Sequence, residues 1–134
     1  VQSQCTKLTS GVDGCGDVLL SYQGSLQLQA VISHSKVSSG ENVGELQGEQ
    51  GRLIWQHSSE FNQVKLVFND GEEQILSEEQ NSNKMVYECQ HFLDLISENR
   101  IESPVNSWQL SLDVLTVLEK VRAQQSIVYP NDNV

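Results

Sequence analysis

The chain has 134 residues, 37% hydrophobic and 19% charged, and its 18 acidic against 8 basic side chains give a formal net charge of −10. That length reads as one domain over residues 1–134, able to bury a core without disulfide or metal staples. The acidic excess repels phosphate backbones and anionic membranes, which argues against nucleic acid as a partner. No long apolar run is present, so the expectation is a cytoplasmic protein without membrane contact.

The first landmark is "TSGVDGCGDVLLSY", Thr9 to Tyr22, with glycines at 11, 14 and 16. A phosphate-cradling loop needs such glycines between a strand and the first turn of a helix. Here they lead into Val18, Leu19 and Leu20, a β-favouring run. The stretch is therefore read as a hairpin, with "VDG" as the bend and Gly16 as a bulge. Strands are expected near 1–8, 17–22, 26–34, 43–49, 52–56, 63–68 and 72–76, separated by Gly, Asn and Asp. Alternation is clearest in "SLQLQAVI", and Gln27, Gln29, Gln47 and Gln63 suggest a polar sheet face. "NDG" at 69–71 signals a two-residue hairpin and "GEQG" at 48–51 a weaker turn, while 35–42, rich in Ser and Gly, reads as a flexible loop. The acidic "DGEEQILSEE" at 70–79 reads as a solvated hairpin.

From Lys84 the period changes. Met85, Cys89, Phe92 and Ile96 recur at helical spacing and predict a helix over 84–99. Pro104 breaks the pattern, Asn106 with Gln109 reads as an N-cap and capping box, and a second helix is predicted over 107–124. Lys120 and Arg122 fall at its negative end. "SIVYP", 126–130, reads as an extended tail. Sheet first and helices last predict an α+β fold: a mostly antiparallel open sheet of about six or seven strands, with two C-terminal helices packed on one face.

Cys5, Cys15 and Cys89 lack metal or disulfide spacing and read as reduced thiols, Cys5 and Cys15 being placed to face each other across the first hairpin. His34, His57 and His91 are isolated and read as ordinary imidazoles rather than metal ligands. No Ser, Cys or carboxylate pair has a base at useful spacing, which argues against a hydrolase. The chain opens on Val1 rather than methionine, which suggests a piece of something longer.

Three segments in order carry a likeness. "ELQGEQGRL" matches an "I-x-G-E-x-G-x-L" pattern through Leu46, Gly48, Glu49, Gly51 and Leu53. "M-x-Y-E-x-x-x-F" is matched by Met85, Tyr87, Glu88 and Phe92, and a closing "S-L-x-V-x-x-x-L-x-x-x-R-x-Q" by Ser111, Leu112, Val114, Leu118, Arg122 and Gln124. Together they make the chain resemble the C-terminal domain of the Gfo/Idh/MocA family, the glucose-fructose oxidoreductase and inositol dehydrogenase relatives. Two departures stand out. Ser126 occupies the region where the family usually ends the helix with a glycine, which leaves the stop less well specified. No E-K-P context surrounds Lys7, Lys36, Lys65 or Lys84, and no histidine lies four residues after an aspartate.

The resemblance implies a C-terminal substrate and oligomerisation domain of an oxidoreductase using NAD or NADP on a sugar, polyol or related hydroxy compound. The N-terminal Rossmann domain, absent from this chain, would hold the cofactor and the catalytic lysine and histidine. The fragment by itself is expected to bind no cofactor and no metal and to be catalytically silent. Its open sheet face is expected to mediate a homo-oligomer such as a dimer. The substrate wall is placed at the loop 36–42, where relatives can supply an aromatic; here Lys36 and Asn42 are the candidate hydrogen-bond donors to a polyol. The competing reading is a free-standing α+β binding or dimerisation module with no redox role.

Overall fold

A computed structural model of the chain describes residues 1–24, 27–58 and 60–133. Seven strands come first: β1 (Gln2–Lys7), β2 (Asp13–Ser21), β3 (Gln29–Ser35), β4 (Gly44–Gln47), β5 (Gly51–Trp55), β6 (Lys65–Phe68) and β7 (Glu73–Ile75). Two helices follow, α1 (Met85–Ser97) and α2 (Trp108–Gln124), and a 3-10 turn at Pro130–Asn133 replaces the end of the expected extended tail. The fold is α+β and every strand pair is antiparallel. The predicted start of the third strand at Leu26 lies outside the described residues.

The strands form two sheets rather than one: a three-stranded sheet in the order β1-β2-β3 and a four-stranded sheet in the order β4-β5-β6-β7. The break has a local cause. Ser35 Oγ accepts hydrogen bonds from the N–H groups of Val37 (3.2 Å) and Ser38 (3.0 Å). That turn takes the backbone out of the extended state before β4 can continue the ladder. The chain accordingly divides into two compact units, one of Val1–Ser39 with Arg100–Val134 and the other of Gly40–Asn99. The expected pair of helices on one face of one sheet is corrected with it: α2 belongs to the first unit and α1 to the second.

In the first unit α2 lies against β1. The side chains of Gln124 and Gln125 reach the strand's outer edge. Gln125 Oε1 accepts from the Cys5 amide (3.1 Å), and Gln124 Nε2 donates to the Val1 carbonyl (2.9 Å). Polar groups that an edge strand would leave open are thereby satisfied within the unit. Helix α2 is capped by Ser107, whose Oγ accepts from the Leu110 amide at 3.1 Å. The cap expected at Asn106 thus sits one residue later. At its other end the Ser126 amide donates to the Ala123 carbonyl and the Ile127 amide to the Arg122 carbonyl, both at 3.1 Å. This is the Schellman pattern, with Ser126 in the left-handed region at φ 51°. Ile127, 7% exposed, is the buried apolar side chain among the described residues. Arg122 closes the tail by lying 4.5 Å over the Tyr129 ring and pairing with Asp132.

The second unit is held by cross-strand pairs, Leu46 opposite Leu53 and Leu53 opposite Leu66. Gly44 sits opposite Trp55, and a Cβ there would run into the indole ring. "NDG" closes the β6–β7 hairpin with three residues rather than two, since the Phe68 amide donates to the Glu72 carbonyl at 2.8 Å and Gly71 takes φ 92°. "GEQG" turns as expected, with the Gly48 amide bonded to the Gly51 carbonyl at 2.9 Å. The start of helix α1 is joined to the β5–β6 connection by Lys84 and Glu60, 3.0 Å apart, a pair that holds the Glu60 carboxyl below its ordinary range. The four glutamines expected on one sheet face are not in one sheet, and Gln27 lies outside the strands. Gln29 is in the three-stranded sheet, Gln47 is in the four-stranded one, and Gln63 is in a left-handed turn.

Candidate functional site

A polar constellation of the first unit is built from the start of β2 and the end of β3. It depends on a bulge. Thr6 pairs with Cys15 but Lys7 pairs with Asp13, so Gly14 is the extra residue of β2. The bulge therefore falls at Gly14 and not at Gly16, and the bend of the hairpin is closed upstream of "VDG". There the Leu8 amide meets the Val12 carbonyl at 2.8 Å, and Gly11 has φ 86°. By shifting the alternation one place, the bulge puts the Asp13 side chain on the face shared by His34 and Lys36 instead of that of Cys15 and Asp17. Gly16, directly opposite His34, brings no side chain to that face.

The geometry is close. His34 Nε2 lies 2.8 Å from Asp13 Oδ2, and Lys36 Nζ lies 2.8 Å from Asp13 Oδ1. Lys36 Nζ also donates to the Asp13 carbonyl at 3.1 Å, and the Lys36 amide to the Gly14 carbonyl at 2.6 Å. The hydrogen bond from Lys36, with help from His34, holds the Asp13 carboxyl below the usual aspartate value of 3.8, against a smaller upward push from burial. On the opposite face Ser33 Oγ donates to Asp17 Oδ1 at 2.6 Å. The arrangement presents an ammonium, a carboxylate and an imidazole within one hydrogen-bonded group at the rim of a sheet. Such a group can grip hydroxyls from both the donor and the acceptor side.

Of the two candidate donors, Lys36 is in this constellation. Asn42 is an exposed loop residue of the other unit. Sequence pattern alone puts Asp13 in a turn and His34 among the ordinary imidazoles. Nothing in it pairs 13 with 34 and 36 unless the register and the bulge are known. The two cysteines are also re-placed. Cys5 opposes Gly16 and Cys15 opposes Thr6, so they point to opposite faces of the sheet and do not face each other.

The glycine stretch does not make a cofactor cradle. Gly14 and Gly16 are inside β2, Gly14 as the bulge and Gly16 opposite Cys5 of β1, and no helix begins after them, so they do not fit a dinucleotide's phosphates. Among the described residues no group of three His, Cys, Asp or Glu side chains is placed to hold a metal ion. No described helix is long and apolar enough to cross a membrane.

No family model matches the chain. Two curated proteins do. Scyllo-inositol 2-dehydrogenase (NADP(+)) IolU of Bacillus subtilis (strain 168) is 38% identical over 125 residues, covering 93% of this chain and 37% of the relative. The uncharacterized oxidoreductase YgjR of Escherichia coli (strain K12) is 32% identical over 134 residues, covering 100% of this chain and 39% of the relative. The chain thus spans less than two fifths of the length of either. An α+β chain matched along its length to two oxidoreductases is a homologue of that class of enzyme. It belongs to the Gfo/Idh/MocA family of oxidoreductases, as the order of its motifs indicated.

The motif residues themselves are architectural here. Leu46 and Leu53 face each other across β4 and β5, and Gly48 and Gly51 make the turn between them. The Tyr87 hydroxyl accepts from the Asn81 amide at 2.8 Å ahead of α1. Arg122 and Gln124 fasten the tail and β1. The chemistry-bearing side chains Asp13, His34 and Lys36 lie outside all three motifs.

Proposed function

We propose that residues 1–134 form the C-terminal substrate-wall and oligomer-contact domain of an oxidoreductase that uses NAD or NADP to oxidise or reduce a polyol, sugar or related hydroxy compound. The observation that carries this reading is the 38% identity, over 93% of the chain, to a protein named as an NADP-dependent inositol dehydrogenase. Cofactor binding and the proton-handling residues belong to an N-terminal Rossmann domain outside this chain, in keeping with glycines that serve a hairpin and not a phosphate. Lys36 in the first unit and Asn42 in the second are each read, separately, as a hydrogen-bond donor suited to ligand hydroxyls. An open sheet face supplies the contact to a second copy.

The test is to express the full-length gene product and, separately, residues 1–134, and to follow reduced nicotinamide by absorbance with inositols, sugars and sugar alcohols. The full-length protein is expected to turn over at least one neutral polyhydroxy compound with NAD or NADP, and residues 1–134 none. A full-length protein that neither binds a nicotinamide cofactor nor oxidises any such compound would leave the free-standing binding module as the better reading.

A further inference from the structure

We propose, resting on the substrate-wall reading above, that Asp13 is the positioning residue of Lys36 and selects an uncharged polyhydroxy ligand over an anionic one such as a hexuronate. Lys36 carries three N–H donors. Two are used by Asp13, one on Oδ1 at 2.8 Å and one on the backbone carbonyl at 3.1 Å. The ammonium is thereby held in one place, with a single donor left for a ligand. His34 takes the second carboxylate oxygen through Nε2 at 2.8 Å, so that Nδ1 is the ring's remaining polar atom.

The charges decide what such a group accepts. An unpaired lysine on a sheet rim attracts carboxylates and phosphates. Here the carboxylate lies against the ammonium at 2.8 Å, so the two charges offset each other. An anionic ligand approaching Lys36 meets the Asp13 carboxylate beside it, whereas a polyol finds a donor and an acceptor side by side. Lys7, the cross-strand neighbour of Asp13, is engaged elsewhere, its ammonium donating to the Ser126 carbonyl at 2.9 Å. Asp17 is on the opposite face, bonded to Ser33.

The experiment uses the full-length gene product as wild type, Asp13→Asn, Asp13→Glu and Lys36→Met. It measures KM and kcat for myo- or scyllo-inositol and for a hexuronate, together with the thermal shift each ligand produces. Asp13→Asn is expected to raise KM for the inositol about tenfold, the loss of one charge-assisted anchor. Its kcat should change little, while KM and thermal shift for the uronate improve. Asp13→Glu should recover part of the preference, and Lys36→Met should weaken both ligands. An inositol-to-uronate KM ratio unchanged in Asp13→Asn overturns the proposal, as does a fall in kcat with both KM values intact. A wild type that oxidises only the uronate overturns it while leaving the oxidoreductase reading in place; a wild type active on neither, with no nicotinamide binding, removes both.

Discussion

Ser126 shows how one side chain can keep a family's geometry without its usual residue. The left-handed position after a helix favours glycine because a Cβ there crowds the neighbouring carbonyl. This chain places a serine at φ 51° and still makes both closing hydrogen bonds, from Ser126 to Ala123 and from Ile127 to Arg122. The strain is offset by contacts around the helix end: Ile127 is buried, and Arg122 holds Tyr129 and Asp132. Ser126→Gly should therefore stabilise the fold by about 0.5–1 kcal/mol, part of the relieved strain being lost to the freer unfolded chain. Thermal unfolding should show this as a rise of roughly 2–4 °C. A drop would mean that the serine side chain makes a contribution its backbone geometry does not explain. The departure from the family's glycine was legible in the sequence; that the helix stop survives it was not, because a left-handed serine depends on the packing of the residues after it.

At the scale of elements, all seven strands and both helices were legible, since alternation, helical periodicity and Gly, Pro and Asn breaks are local properties. The features that escaped each turned on a single residue of register. The bulge at Gly14 rather than Gly16 decides which face Asp13 occupies. One position separates Cys15 from the residue opposite Cys5. The N-cap of α2 is Ser107, not Asn106, because Asn106 is drawn into the preceding turn, its amide donating to Ser103 Oγ at 3.0 Å. The two candidate caps make a direct test. Ser107→Ala should cost about 1 kcal/mol by leaving the Leu110 amide without its partner, while Asn106→Ala should change stability by a few tenths at most. Helix content against urea for the two variants measures the difference, and equal losses would return the cap to Asn106.

Across the whole molecule, the sheet that local patterning suggested as continuous is two sheets in two units. Pairing between β3 and β4 is a long-range choice that alternation cannot encode, and the turn around Ser35 decides against it. The first unit is made of two stretches of chain, Val1–Ser39 and Arg100–Val134, with Gly40–Asn99 between them. Its two stretches are joined without a covalent link. Gln124 and Gln125 bond to Val1, Ser3 and Cys5, and Lys7 bonds to Ser126. If these contacts and the packing of α2 on β1 sustain the unit, breaking the chain on both sides of Gly40–Asn99 should not separate its halves. Specific protease sites inserted in the exposed segment 38–43 and directly after Asn99 provide the breaks. After cleavage, the 1–39 and 100–134 pieces should co-elute in size exclusion and keep a cooperative unfolding transition. Removing the side-chain amides in the double variant Gln124→Ala, Gln125→Ala should weaken that association about tenfold or more, since four hydrogen bonds are lost at about 0.5–1.5 kcal/mol each. Pieces that part on cleavage in the unsubstituted protein would show that the intervening segment is needed to hold β1 and α2 together, and that the two sheets depend on each other for stability.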